Sequence, residues 1–128
     1  MKRYAMLAVL VCLMSSTVAL AAETAVERLL VCSSVQDREP VGVAESFPAG
    51  TVEVVAFAHL VNVDCDCTIS FVWSRNGKEV RTIIVPVSKE ERWRSWARKK
   101  VDGQPGEWSV EVRNAANKPL MSTMFIVH

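Results

Sequence analysis

The sequence predicts an all-β chain: a single immunoglobulin-like antiparallel β-sandwich of about seven or eight strands, following a cleaved signal peptide. Three observations predict it. Apolar and polar residues alternate with a period of two through most of residues 22–128, and no segment carries a long, well-capped helical stripe. Turn signals recur at roughly ten-residue intervals between the alternating runs, the spacing expected of a sandwich. The chain has 128 residues, half of them hydrophobic. That is enough for one core and too little for a barrel enzyme or a two-domain dehydrogenase.

The first residues form a separate unit. Lys2 and Arg3 precede an apolar stretch from Ala5 to Met14, and Ala19-Leu20-Ala21 supplies small residues before a cleavage point. This is the layout of a secretory signal peptide over residues 1–21, cleaved after Ala21, and it predicts a periplasmic or secreted protein. The apolar stretch is only about ten residues, half of what a membrane span needs, so the mature chain is expected to have no transmembrane segment. Two of the 15 basic residues lie in this leader and none of the 14 acidic ones, so the domain of residues 22–128 is close to neutral. A balance of that kind argues against a general nucleic-acid binder.

Glu27 to Val35 reads as the first strand, closed by Gln36-Asp37-Arg38-Glu39-Pro40. Val41 to Phe47 is a weaker strand ending at Pro48-Ala49-Gly50. Thr51 to Val63 is long, β-branched and apolar on both faces near Val54–Ala58, as expected of a strand covered on both sides. Asn76-Gly77 is the preferred pair for a two-residue type I′ hairpin, because both central positions need a positive φ. That turn pairs Arg75 with Lys78, Trp73 with Val80, Phe71 with Thr82 and Ile69 with Ile84, placing Ile69, Phe71 and Trp73 on one buried face. Residues 88–100 fit two patterns. Trp93, Trp96, Ala97 and Lys100 follow helical spacing; as a strand, Arg92, Arg94, Trp96 and Arg98 share one face. Asp102 to Gly106 is a turn, Trp108, Val110 and Val112 mark a strand with one buried face, and Leu120 to Val127 forms the last strand.

The order of motifs resembles a known family. Val35 to Pro40 is followed by Ile69 to Gly77, then by Arg92-Trp93-Arg94-Ser95-Trp96-Ala97-Arg98-Lys99, Gly106-Glu107-Trp108-Ser109-Val110-Glu111-Val112 and Phe125-Ile126-Val127. The chain resembles, over residues from about 54 to 127, the bacterial family catalogued as domain of unknown function 2914. It departs from the pattern at Phe71, where a His is expected, and at Ala97, where Ser is favoured. The resemblance carries no established activity; it implies a compact β-sandwich and a strand, not a helix, for the Arg-Trp block.

Candidate chemistry is sparse. In an exported protein Cys32 is expected to pair with Cys65 or Cys67, leaving one thiol over. A Cys65–Cys67 bridge is possible but strained, because extended i and i+2 residues place their Cα atoms near the upper limit for bridging. The alternative is a metal or thiol-redox site built on Cys65-x-Cys67 with Cys32 or His59 as a further ligand. No nucleophile elbow, Ser-x-x-Lys block or His-Glu-x-x-His helix occurs, so the chain is expected not to be an enzyme and to need no cofactor. The segment from Lys89 to Lys100 holds six basic residues against Glu90 and Glu91. Arg92, Arg94, Trp96 and Arg98 are therefore the candidate binding residues, for an envelope protein, a glycan or another anionic ligand. The simpler reading is that the arginine stems cover indoles that belong to the core.

Overall fold

The computed structural model describes residues 23–128, and the expected leader lies outside the described residues. Ten strands follow one another: β1 (Ala25–Cys32), β2 (Ser34–Gln36), β3 (Glu39–Val41), β4 (Ser46–Phe47), β5 (Glu53–Val63), β6 (Cys67–Arg75), β7 (Lys78–Val87), β8 (Glu90–Lys100), β9 (Gly106–Arg113) and β10 (Pro119–Val127). No helix occurs among the described residues. Seven are long enough to build the sandwich; β2, β3 and β4 are fragments of the two strands expected before residue 50.

A three-stranded sheet, β1-β5-β8, faces a five-stranded one in the order β4-β10-β9-β6-β7. The chain leaves the first sheet after β1 and reaches the second at β4, which runs parallel to the end of β10 with Ser46 opposite Ile126. All other strand pairs are antiparallel. This split first strand, with its second part beside the last, gives the immunoglobulin-like sandwich that the alternation pattern predicts.

Between the sheets lies one continuous apolar core. Val54, Ala56, Ala58 and Leu60 point inward from β5, Ile69, Phe71 and Trp73 from β6, Trp108, Val110 and Val112 from β9, and Phe125 and Val127 from β10. Phe125 is the aromatic hub. Its ring lies 6.1 Å from Trp108 in a stacked arrangement, and 6.1 Å from Trp73 and 5.7 Å from Phe47 edge-on. Trp108 donates its Nε1–H to the Gln104 carbonyl at 3.0 Å. The buried Trp73 Nε1 has no partner, which lowers the net gain from burying that indole.

The Asn76-Gly77 turn forms as expected, with φ of 50° and 80° and Arg75 opposite Lys78. Beyond it the register differs from the expected one. A bulge between Trp73 and Ser74 places Trp73 opposite Arg81, Phe71 opposite Ile83 and Ile69 opposite Val85. The reason is the composition of the two faces of β7. One residue of slip turns Ile83, Val85 and Val87 toward the core and leaves Pro86 outside. Val80 and Ile84, expected inside, are 47% and 66% exposed.

Residues 90–100 are strand throughout, paired with β5 from Glu53↔Lys100 to Val63↔Glu90. The helical spacing of Trp93, Trp96 and Lys100 is therefore incidental. Trp93, Ser95 and Ala97 turn toward the other sheet, whereas Arg92, Arg94, Trp96 and Arg98 lie on its outer face.

Candidate functional site on the basic strand

The outer face of β1-β5-β8 carries a second, smaller apolar cluster of Leu30, Cys32, Val55 and Phe57. Cross-strand register dictates its shape. Leu30, Phe57 and Trp96 stand in one row, and Cys32, Val55 and Arg98 in the next. Trp96 stacks on Phe57 with 6.1 Å between centroids and 8° between planes. Val35, from the β2–β3 hairpin, closes the other side. That hairpin is the expected turn string Gln36–Pro40; Asp37 and Arg38 occupy its tip with φ of 51° and 62°.

Each candidate arginine has a carboxylate partner. Arg92 Nη1 lies 3.1 Å from Glu27 Oε2, Arg94 Nη1 lies 2.8 Å from Glu39 Oε1, and Arg98 Nε lies 3.7 Å from Glu53 Oε1. Arg94 also donates to the Arg38 carbonyl at 3.3 Å, strapping the hairpin to β8. The three glutamates come from β1, β3 and β5, and sequence reading did not single them out. The side chains in these pairs are 39–66% exposed, so each pair contributes only about 0–1 kcal/mol and is easily exchanged for another carboxylate. The structure thus brings Arg92, Arg94, Trp96 and Arg98 together on one face, around a half-buried indole. That indole packs on Phe57 in the small outer cluster and not in the core between the sheets.

The remaining cations of the block lie elsewhere. Lys99 and Lys100 line, with Arg81, Ile83 and Arg98, a cleft of about 290 Å³ where the edges of β7 and β8 meet. Lys99 Nζ also sits 5.8 Å from the Trp108 ring centroid. Charged side chains on these two edge strands discourage further strand pairing.

The cysteine pairing differs from the expected one. Cys65 and Cys67 are bridged to each other with Cα atoms 5.4 Å apart, and Cys32 is a free, buried thiol. Two features of the fold explain this. The chain bends at Cys65 and Asp66 instead of running extended, bringing the Cα atoms within bridging range. The bend is held by Asp66 Oδ1 accepting from the Lys89 N–H at 2.9 Å. Antiparallel register meanwhile places Cys32 opposite Val55, at the start of β5. Val63, just before the bend, is eight residues further on, roughly 25 Å along an extended strand.

The alternative metal set is not assembled. His59 lies on the outer face opposite Arg28 and Arg94, with Nδ1 3.9 Å from Glu27 Oε2. It therefore stands beside Glu27 on the outer face and not at the Cys65–Cys67 bend. Among the described residues no group of three or more His, Cys, Asp or Glu side chains converges to hold a metal ion. Burial pushes the Cys32 thiol above its ordinary pKa of 9.0, only partly offset by backbone hydrogen bonds from the Val41 and Ser34 region. A raised folded-state value stabilises the fold fully below the unfolded value and loses that contribution as pH rises through the folded one. Native protein should therefore resist iodoacetamide at Cys32 near neutral pH, label there on unfolding, and lose stability above about pH 9, less so as Cys32→Ala. Thiol mapping and melts across that range check it.

Fold and surface together define an immunoglobulin-like β-sandwich with a basic edge strand. Residues 66–127 match the family model described as Protein of unknown function (DUF2914), so the resemblance drawn from the motifs holds from β6 to β10. The match begins at Asp66, some way beyond the expected start near residue 54. No curated protein matches the chain.

Proposed function

We propose that this is a non-catalytic exported module, an interaction or accessory protein of the bacterial cell envelope, that docks an acidic protein partner on the outer face of β8. The observation that carries the reading is the arrangement of Arg92, Arg94 and Arg98 around the half-buried Trp96 on a rigid strand. Trp and Arg are the residue types that most often dominate protein interfaces. The exposed Glu27, Glu39 and Glu53 partners keep the guanidinium groups extended and in place, and a partner's carboxylates can replace them at small cost. Export is supported by the leader pattern ending at Ala21 and by the fit of an oxidising compartment to the Cys65–Cys67 bridge.

The test combines Arg92→Ser, Arg94→Ser and Arg98→Ser in one variant. Three exposed pairs are lost, so the melting temperature should fall by only a few degrees. Co-isolation of a defined envelope protein that copurifies with the wild-type chain should be abolished. Undiminished recovery with the folded triple variant contradicts the proposal.

A further inference from the structure

The Cys65–Cys67 disulfide does nothing for the sandwich that a cross-link usually does. Cys65 lies in the connection from β5 to β6 and Cys67 is the first residue of β6, so the bridge spans one bend and fastens no strand to a neighbour in its sheet. Closing so short a loop also restricts the unfolded chain less than a long one would. Yet the pair is accessible: Cys65 is exposed and Cys67 half-buried. It stands on the rim of a cleft of about 350 Å³, with the exposed Ala115 and Ala116 contributing apolar lining and Thr68, Asn114 and Lys118 polar groups. Cys32, buried on the outer face of the other sheet, is placed to take no part.

We propose that Cys65–Cys67 is a thiol–disulfide exchange site whose substrate is an extended peptide segment carrying two cysteine thiols. An apolar side chain of that segment enters the cleft beside Ala115 and Ala116, bringing its thiols to the rim. A substrate thiolate attacks the exposed Cys65 sulfur; the Cys65–Cys67 bond breaks, and Cys67 leaves as a thiolate that takes up a proton. The second substrate thiolate then attacks the substrate sulfur of the mixed disulfide and releases Cys65, which is protonated in turn. The substrate loses two electrons and two protons to become a disulfide, and the Cys65–Cys67 pair gains them as two thiols. No further reactant is needed for this turnover. The proposal involves none of the β8 arginines and stands or falls separately from the docking face.

The oxidised full chain is incubated with a synthetic peptide bearing two cysteines and one leucine, then acid-quenched, alkylated and weighed. The expected result is a dithiol at Cys65 and Cys67 with the peptide oxidised, at a rate about tenfold above that of a peptide with Ser in place of the leucine. Cys67→Ser, first activated at Cys65 as the glutathione mixed disulfide, should pass that bond to the peptide. A double variant, Cys65→Ser with Cys67→Ser, should keep the wild-type melting temperature. A bridge that stays intact in excess peptide, equal rates for the two peptides, or a double variant that melts well below wild type each overturns the proposal, the last by making the bridge a structural cross-link.

Discussion

Replacing Phe125 by Ala should cost about 3–5 kcal/mol and lower the melting temperature by roughly 10–20 °C. Phe125 is 1% exposed and is the ring on which three others converge: Trp108 stacked, Trp73 and Phe47 edge-on. Its loss empties the space between two tryptophans that the strands hold too rigidly to collapse, so a cavity term adds to the lost burial. Phe47 also depends on it, and Phe47 lies on β4, the two-residue strand that carries the start of the chain across to the second sheet. Against a total stability of about 5–15 kcal/mol, such a change leaves a marginal fold. Urea or thermal unfolding followed by tryptophan fluorescence measures it directly. A shift of only a degree or two would show that the aromatic centre is not the main stabilising element.

Gly106→Ala should be destabilising by about 2–4 kcal/mol, although the position lies at the surface end of β9. The backbone there has φ of 138°, a conformation strained for any L side chain. A Cβ would also stand 2.7 Å from Asn76 Oδ1. That amide cannot move freely. Its oxygen accepts from the Glu107 N–H at 3.0 Å, and the Asn76 N–H donates to the Glu107 carbonyl at 2.7 Å. The same residue that shapes the β6–β7 turn thus ties its tip to β9, and glycine at 106 leaves room for it. Equilibrium unfolding of Gly106→Ala, beside amide exchange at Glu107, separates the two contributions: strain alone lowers stability, whereas loss of the tie also releases the Glu107 amide.

What could be read from the sequence was local. The Asn76-Gly77 turn needs only two residues with positive φ, and the alternation of Trp108, Val110 and Val112 needs only one strand, so both were legible. The features that escaped reading are set by contacts between distant segments. The bulge opposite Trp73 arises because Ile83, Val85 and Val87 make a better inner face than Val80, Thr82 and Ile84, a choice seen only once the core is present. Cys32 is separated from Cys65 by the antiparallel register of β1 on β5, which no spacing along the chain encodes. The candidate site was legible in its cations, because six lie between Lys89 and Lys100, and hidden in its anions. Glu27, Glu39 and Glu53 reach the arginines from three other strands. The Asp-Arg-Glu-Pro string held one signal: a tight turn carrying Glu39 has to fold back over a neighbouring face.

The most direct measurement of the docking account is site-specific photo-crosslinking in growing cells, with the photoreactive residue at Arg94 on β8 or at Ser122 on the outer face of the opposite sheet. The account predicts one discrete adduct with an envelope protein from position 94, absent from position 122 and competed away by a soluble acidic peptide. No adduct from position 94, or the same adduct from both faces, contradicts it.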